Sequence, residues 1–379
     1  MIDDYQWVIG DEQLAQCVAI WSKAPVLALD TEFIRTETFY PQLGLIQVGI
    51  EQQTWLIDPL TITKWRPFAD LLTNEQVVKV LHALSEDVEV LQCTVGCNIA
   101  NVLDTQVAAS FLGYPQQMSY AKLIGELCDQ EIAKEVTRSD WLKRPLDPVQ
   151  CQYAAADVYW LYKAFFHLKE KLDNLGRYDW AQEDSQRQAV TSNVNPTQYY
   201  KKLRGGWKLK GARLLTLQLL AQWREELARS QDVNRGRILK DKEMLVIAEK
   251  MPTRTAQLQQ DVKLGSRTIR LYGSSILSFV EQANNARKEA WPELIDGPLP
   301  ADQADIYQQI KTKINDIAEQ NDIPVDTLAR RKLLEAWVRS GCRTGHYNIP
   351  EFFTGWRKAY LVEPISTILN KQWQEVDHA

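Results

Sequence analysis

From Pro25 the chain runs apolar through Val26-Leu27-Ala28-Leu29, then places Asp30 and Glu32 on either side of Thr31. An apolar run rich in β-formers and bounded by proline predicts a buried strand over Val26–Phe33. Short β-rich runs at Leu43–Ile50 and Thr54–Asp58, separated by turn residues, predict a meander that opens a sheet. Lys79–Ala83 and Asn101–Asp104 are further strand candidates. The first is followed by helical spacing through Val88, Leu91 and Val95, the second by a helix ending near Gly113. A long helix is expected from Pro148 to Leu175, with proline in its first turn and Gly176 as its stop. Strand and helix patterns alternate, so residues 1–190 read as an α/β domain, one sheet flanked by helices. Beyond Gly176 the pattern turns helical. Residues 191–206 read as a linker, and a break around Trp291–Pro300 divides the rest of the chain into two small helical modules, 207–288 and 299–372.

Charge sharpens that division. The net charge of -5 over 379 residues is the sum of unlike parts: residues 1–200 carry -12, residues 201–290 carry +10 and residues 291–379 carry -3. An acidic region joined to a basic module is the pattern of a protein whose middle part grips a polyanion; basic side chains that merely solvate helix faces are the alternative. The acidic start Met1-Ile-Asp-Asp-Tyr5 lacks a basic-then-apolar leader, and no apolar stretch reaches the ~20 residues a spanning helix needs. No membrane association is expected. Six scattered cysteines suit reduced core residues in a cytoplasmic protein. Cys93 and Cys97 have a zinc-like spacing but no second Cys/His pair, and the chain has only four histidines.

On a strand, residues i and i+2 share a face, so Asp30 and Glu32 aim their oxygens together. Two adjacent carboxylates repel, and a hard divalent cation fits best between them; a solvated strand end is the bland alternative. A second acid, Asp87, closes the segment His82-Ala-Leu-Ser-Glu-Asp87, where a predicted strand gives way to a helix. In the first turn of that helix it also suits the dipole. A third element, Tyr153-Ala-Ala-Ala-Asp157, lies on the long helix, where Tyr153 and Asp157 share a face at i and i+4. The small residues between them let that face approach a sheet or a substrate, although plain core packing also accounts for the pair. If all four carboxylates converge, the cluster needs cations, and two divalent ions ~4 Å apart suit an in-line displacement at phosphorus.

The order Asp-x-Glu, Asp87, Tyr-x-x-x-Asp resembles the DEDD exonuclease superfamily in its tyrosine-bearing branch, most closely the ribonuclease D family. The resemblance runs through Leu29–Phe33, Tyr40–Gln47, His82–Asp87, Asp104-Thr105, Ser139–Leu142, Arg144–Leu146 and Tyr153–Asp157. Leu219–Arg224 and Leu245–Pro252 resemble an HRDC domain, and Ile323–Arg331 resembles a second one more weakly. The resemblance implies a ribonuclease H-like 3′-5′ exonuclease fold with a mixed sheet, followed by two all-α HRDC-like domains. It implies that Asp30, Glu32 and Asp157 hold one magnesium or manganese ion, that Asp30 bridges to a second, and that Asp87 supports the second through water. Tyr153 would orient the attacking water, since a phenol with a pKa near ~10 is a poor free base. Expected substrate contacts are Phe33 stacking on the terminal base, His82 near a phosphate, and Arg138, Lys143 and Arg144 on the strand backbone, with core packing or solvation as the alternative for each.

The expected activity is a metal-dependent 3′-5′ exoribonuclease that releases nucleoside 5′-monophosphates from a single-stranded 3′ end. By resemblance, its RNA partners are precursor transfer RNA and other small structured RNAs, and the protein acts as a monomer. A DNA exonuclease and a catalytically silent RNA-binding protein are the competing readings; retention of the repulsive cluster counts against the second. Gly206–Gly211 has phosphate-loop glycine spacing, but Ala212 replaces the lysine, and neither HExxH, GxSxG nor GxGxxG occurs.

Overall fold

The computed structural model describes residues 4–132, 139–190, 195–342 and 344–377. It divides into two compact units. One comprises residues 1–34, 43–191 and 299–379, the other 35–42 and 192–298.

The first unit is built on a six-stranded mixed sheet: β1 (Gln6–Val8), β2 (Val26–Ile34), β3 (Gln42–Ile50), β4 (Gln53–Ile57), β5 (Val78–Leu81) and β6 (Val102–Asp104). The strand order is β1-β4-β3-β2-β5-β6. β3 and β4 form the antiparallel hairpin that the turn residues predicted, and β1, β2 and β6 add parallel neighbours to β4 and β5. β1 was not foreseen. It has only three residues and exists through its register with β4, where Gln6 pairs with Trp55 and Val8 with Ile57.

The long helix runs Pro148–Asn174 and is stopped by Gly176 at φ +64. A capping box starts it: Asp147 accepts from the Val149 N–H at 2.8 Å, while Gln150 accepts from the Asp147 N–H at 2.9 Å. Ala154, Ala155 and Val158 press this helix onto the sheet. The approach is so close that a Cβ on Gly49 would sit 2.7 Å from the Val158 carbonyl oxygen, which leaves only glycine room there. That contact brings Asp157 down to the level of β2.

Residues 299–377 do not form a separate core. Ile306, Ile310, Trp337, Trp356 and Leu361 belong to the same buried cluster as Val26, Ala28, Val80, Val158 and Phe165. Arginines tie the elements together. Arg357 makes a buried ion pair with Asp184, with Nη1 2.6 Å from Oδ1, and Arg177 donates to the carbonyls of Phe111 and Asp322 at 2.9 and 2.8 Å. Trp180 and Trp356 stack at 4.6 Å.

The second unit is helical, with its longest helices at Ala212–Gln231 and Ser266–Asn285. Segment 35–42, which leaves β2, is part of this unit. Phe39 is buried in the unit's core beneath the guanidinium of Arg235, 4.3 Å from the ring centre, and Asp232 accepts from the N–H groups of Phe39 and Tyr40 at 3.0 and 2.9 Å. No described helix is long and apolar enough to cross a membrane. The six cysteines are all free thiols.

Candidate active site

Three elements deliver the acids. Asp30 and Glu32 come from the C-terminal part of β2, Asp157 from the long helix four residues after Tyr153, and Asp87 from the first turn of the helix Ser85–Val95. One oxygen each from Asp30, Glu32 and Asp157 lies within 4.8 Å of the others. Asp87 stands outside that trio but lines the same pocket of about 410 Å³, together with Thr31, Phe33, His82, Tyr120 and Tyr153.

The electrostatics are those of acids gathered, among the described residues, without a cationic side chain of their own. Burial, and then the charge of Asp157, hold the Asp30 carboxyl well above its ordinary range. Burial and the neighbouring Asp30, Asp157 and Asp87 push Glu32 up to about 10. Burial pushes Asp157 up to about 7, partly offset by a hydrogen bond from the Tyr153 hydroxyl. Asp87 is raised well above its ordinary value by burial and by Asp30, against the bond it accepts from Thr31. Among the described residues, no lysine or arginine contributes to any of these four shifts. The buried Oδ1 of Asp157 has no hydrogen-bond partner, and such an orphan acceptor calls for an explanation. An all-oxygen donor set, mutually repulsive and with an unpartnered acceptor, fits a hard divalent cation and does not fit a soft one.

Tyr153 donates to Asp157, and burial beside Asp157, Glu32 and Asp30 raises its phenol further above its ordinary value. It keeps its proton at neutral pH, so it is suited to orienting a water and unsuited to taking a proton from one.

The expected substrate contacts divide. Phe33 lines the pocket and is half-buried. His82 also lines it, but both ring nitrogens are engaged: Nδ1 with Thr105 Oγ1 at 2.9 Å and Nε2 with the Met118 carbonyl at 3.1 Å. Burial lowers its pKa, so the ring is neutral and serves to hold the wall. Arg144 is directed elsewhere. Its Nε and Nη2 form a two-pronged bond to Asp58 at 2.9 and 2.7 Å, and Nη2 also reaches the Gly44 carbonyl at 2.7 Å, pinning the loop to the sheet. Lys143 is exposed on that loop. Arg138 lies outside the described residues.

Three contributors were not singled out from the sequence. Tyr120 lines the pocket, packs edge-on against His82 and donates to the Asp157 main-chain carbonyl. Asp104, quoted only as part of a motif, accepts from the N–H groups of Ala83 and Leu84 at 2.9 and 3.1 Å and so holds the turn that presents Asp87. Thr31 donates to Asp87. No sequence spacing links Tyr120 to Asp157, 37 positions away; only the fold does.

Known proteins resemble the chain over nearly its whole length. The 3′-5′ exonuclease family pattern matches residues 5–173, and the HRDC domain pattern matches residues 214–280. Ribonuclease D of Pseudomonas paraeruginosa is 37% identical over 97% of this chain and 98% of its own length. Ribonuclease D of Escherichia coli is 33% identical over 97% and 99%. The crystal structure of E. coli RNase D, described as an exoribonuclease involved in structured RNA processing, superposes with a TM-score of 0.89 at 32% identity and covers 97% of this chain and 99% of that one. A protein from Bifidobacterium adolescentis, 18% identical with a TM-score of 0.68 over 96% of each chain, shares the fold.

Proposed function

The chain belongs to the ribonuclease D family, and we propose that its acidic pocket hydrolyses phosphodiesters at single-stranded 3′ ends with the help of two divalent ions, Mg2+ or Mn2+. It is a 3′-5′ exoribonuclease acting in RNA processing, and its family is metal-dependent. The substrates are precursor transfer RNA and other small structured RNAs, the products nucleoside 5′-monophosphates, and the enzyme works as a cytoplasmic monomer.

The observation that carries this reading is the trio Asp30, Glu32 and Asp157, with oxygens within 4.8 Å of one another and, among the described residues, no cationic side chain to offset them. These three would hold one ion, and Asp30 with Asp87 would support the second; bound there, such ions would supply acidity to a water and offset charge on the attacking and leaving oxygens. The protein's own groups do the rest. Tyr153, protonated and fixed by Asp157, orients the attacking water. Phe33 offers a face on which the terminal base stacks, a contact that tolerates any base. The second unit, which contains the +10 segment, contacts phosphates.

Short RNA and DNA oligomers with a 3′ tail, incubated with Mg2+ or with EDTA, test the reading through their product ladders. RNA is expected to shorten one nucleotide at a time from the 3′ end, in Mg2+ only, and faster than DNA. Internal cuts, EDTA-resistant cleavage or a preference for DNA would overturn it.

A further inference from the structure

We propose that Thr31, the residue between Asp30 and Glu32, is a positioning residue that presets Asp87 for the second ion. The proposal rests on the metal-dependent reading of the pocket.

Consecutive side chains of a strand point to opposite faces. Asp30 and Glu32 converge with Asp157, and Thr31 between them reaches a different helix. Its hydroxyl donates to Asp87 Oδ1 at 2.5 Å. Both residues are buried, at 6% and 8% exposure, so water competes poorly for this bond. A threonine hydroxyl has one proton to give. Given to Oδ1, it fixes that oxygen, so a cation or a cation-bound water would be met through Oδ2.

Hydrogen bonds to a charged acceptor are among the strong ones. Partners of this kind orient a ligand before the metal arrives. Asp87 is held on two sides. Asp104, at the end of β6, takes the N–H groups of Ala83 and Leu84 and thereby sets the turn that leads into the Asp87 helix. Thr31, on β2, sets the carboxylate plane. The triplet Asp30-Thr31-Glu32 thus supplies two ligands on one face and the restraint for a third carboxylate on the other. Asp87 needs such a restraint because it comes from a helix packed across β2 and lies outside the 4.8 Å trio.

Thr31→Val tests this with little change of shape: it keeps the β-branch that suits a strand and removes the donor. The expected result is a rise of about 10–100-fold in the Mn2+ concentration giving half-maximal cleavage of 3′-tailed RNA, the usual effect of losing an outer partner of a metal ligand. Calorimetric Mn2+ titration without RNA is expected to weaken to match. Thr31→Ser keeps the hydroxyl and is expected to restore both readouts to near the parent values. Unchanged Mn2+ dependence in Thr31→Val would overturn the proposal. So would a Thr31→Ser protein as impaired as Thr31→Val, or a loss of rate that follows a lowered melting temperature with Mn2+ binding intact. A parent enzyme that neither cleaves nor binds Mn2+ would remove the two-ion premise itself, a failure distinct from the other three.

Discussion

Glu225, which is buried, and the trio of buried Asp157 with half-buried Asp30 and Glu32 are desolvated carboxylates with opposite fates. Glu225, in the helical unit, has no exposed surface and accepts from Arg229 at 3.0 Å and from Arg235 at 2.5 Å. Burial pushes its pKa up, but the bonds and charge of Arg235 and Arg229 outweigh burial and hold the carboxyl below its ordinary value. The trio meets desolvation with no arginine or lysine among the described residues to offset it, the Tyr153 hydrogen bond to Asp157 offsets it only in part, and its pKa values rise. An acid buried with arginines holds a fold together. Acids buried against each other work against the fold until a cation arrives, so their retention points to catalysis.

The largest test of this contrast substitutes one member of each cluster. Asp30→Asn is expected to reduce cleavage by at least about a thousandfold, since it removes the carboxylate proposed to be shared by both ions. It is also expected to leave the metal-free melting temperature unchanged or higher, because a repelling charge has gone. A parent-like cleavage rate in a pure Asp30→Asn sample would defeat the assignment. Glu225→Gln should do the reverse, removing the carboxylate that two partly buried guanidiniums share. A cost of about 2–4 kcal/mol is expected for the helical unit, toward the lower end for broken buried pairs because both arginines keep some exposure. Cleavage of short oligomers should persist at temperatures where the protein stays folded. Denaturant melts check the first point, and an unchanged unfolding midpoint would show that Glu225 is not a structural anchor.

The sequence made the catalytic strand and the long helix legible because their signals are local. The apolar run after Pro25, the i, i+2 carboxylates, the proline at 148 that opens the long helix and the i, i+4 pair Tyr153 and Asp157 each need only a few neighbouring residues. The mixed sheet and the family came with them. What stayed hidden depends on distant partners. Arg144 reads as a loop charge facing solvent or substrate until Asp58, 86 positions away, takes its guanidinium. Phe39 comes directly after the catalytic strand, yet its ring belongs to the core of the helical unit. Residues 299–372 show amphipathic helices, a pattern that states which face is apolar but not what covers it. In the structure that face closes on Val158 and Phe165. Deleting 299–379 would therefore uncover the core beneath the catalytic sheet, where the sequence alone pictured a small module with its own core.

The smallest expected effect is a pH dependence of stability, and its sign separates the two clusters. Asp157 titrates near 3.8 when exposed and at about 7 in the folded protein, and Glu32 moves from 4.5 to about 10. Below about pH 4, folded and unfolded chains both hold these protons, so the groups add no pH dependence there. Between about pH 4 and the folded values, the folded protein keeps protons that the unfolded chain has released. Stability contributed by the trio therefore falls as pH rises through 7 toward 10. Glu225 has the opposite sign: its folded value is depressed, so its contribution is present at neutral pH and is lost on acidification. In EDTA, raising the pH from about 6 to about 9 is expected to lower the melting temperature by several degrees. Saturating Mg2+ is expected to flatten that slope, since the ion then takes the place of the protons. The Mg2+-dependent difference, compared with the same scan on Asp30→Asn, isolates the trio from every other titrating group. Equal slopes with and without Mg2+ would mean that no cation replaces those protons, and the contrast between the two buried clusters would lose its functional meaning.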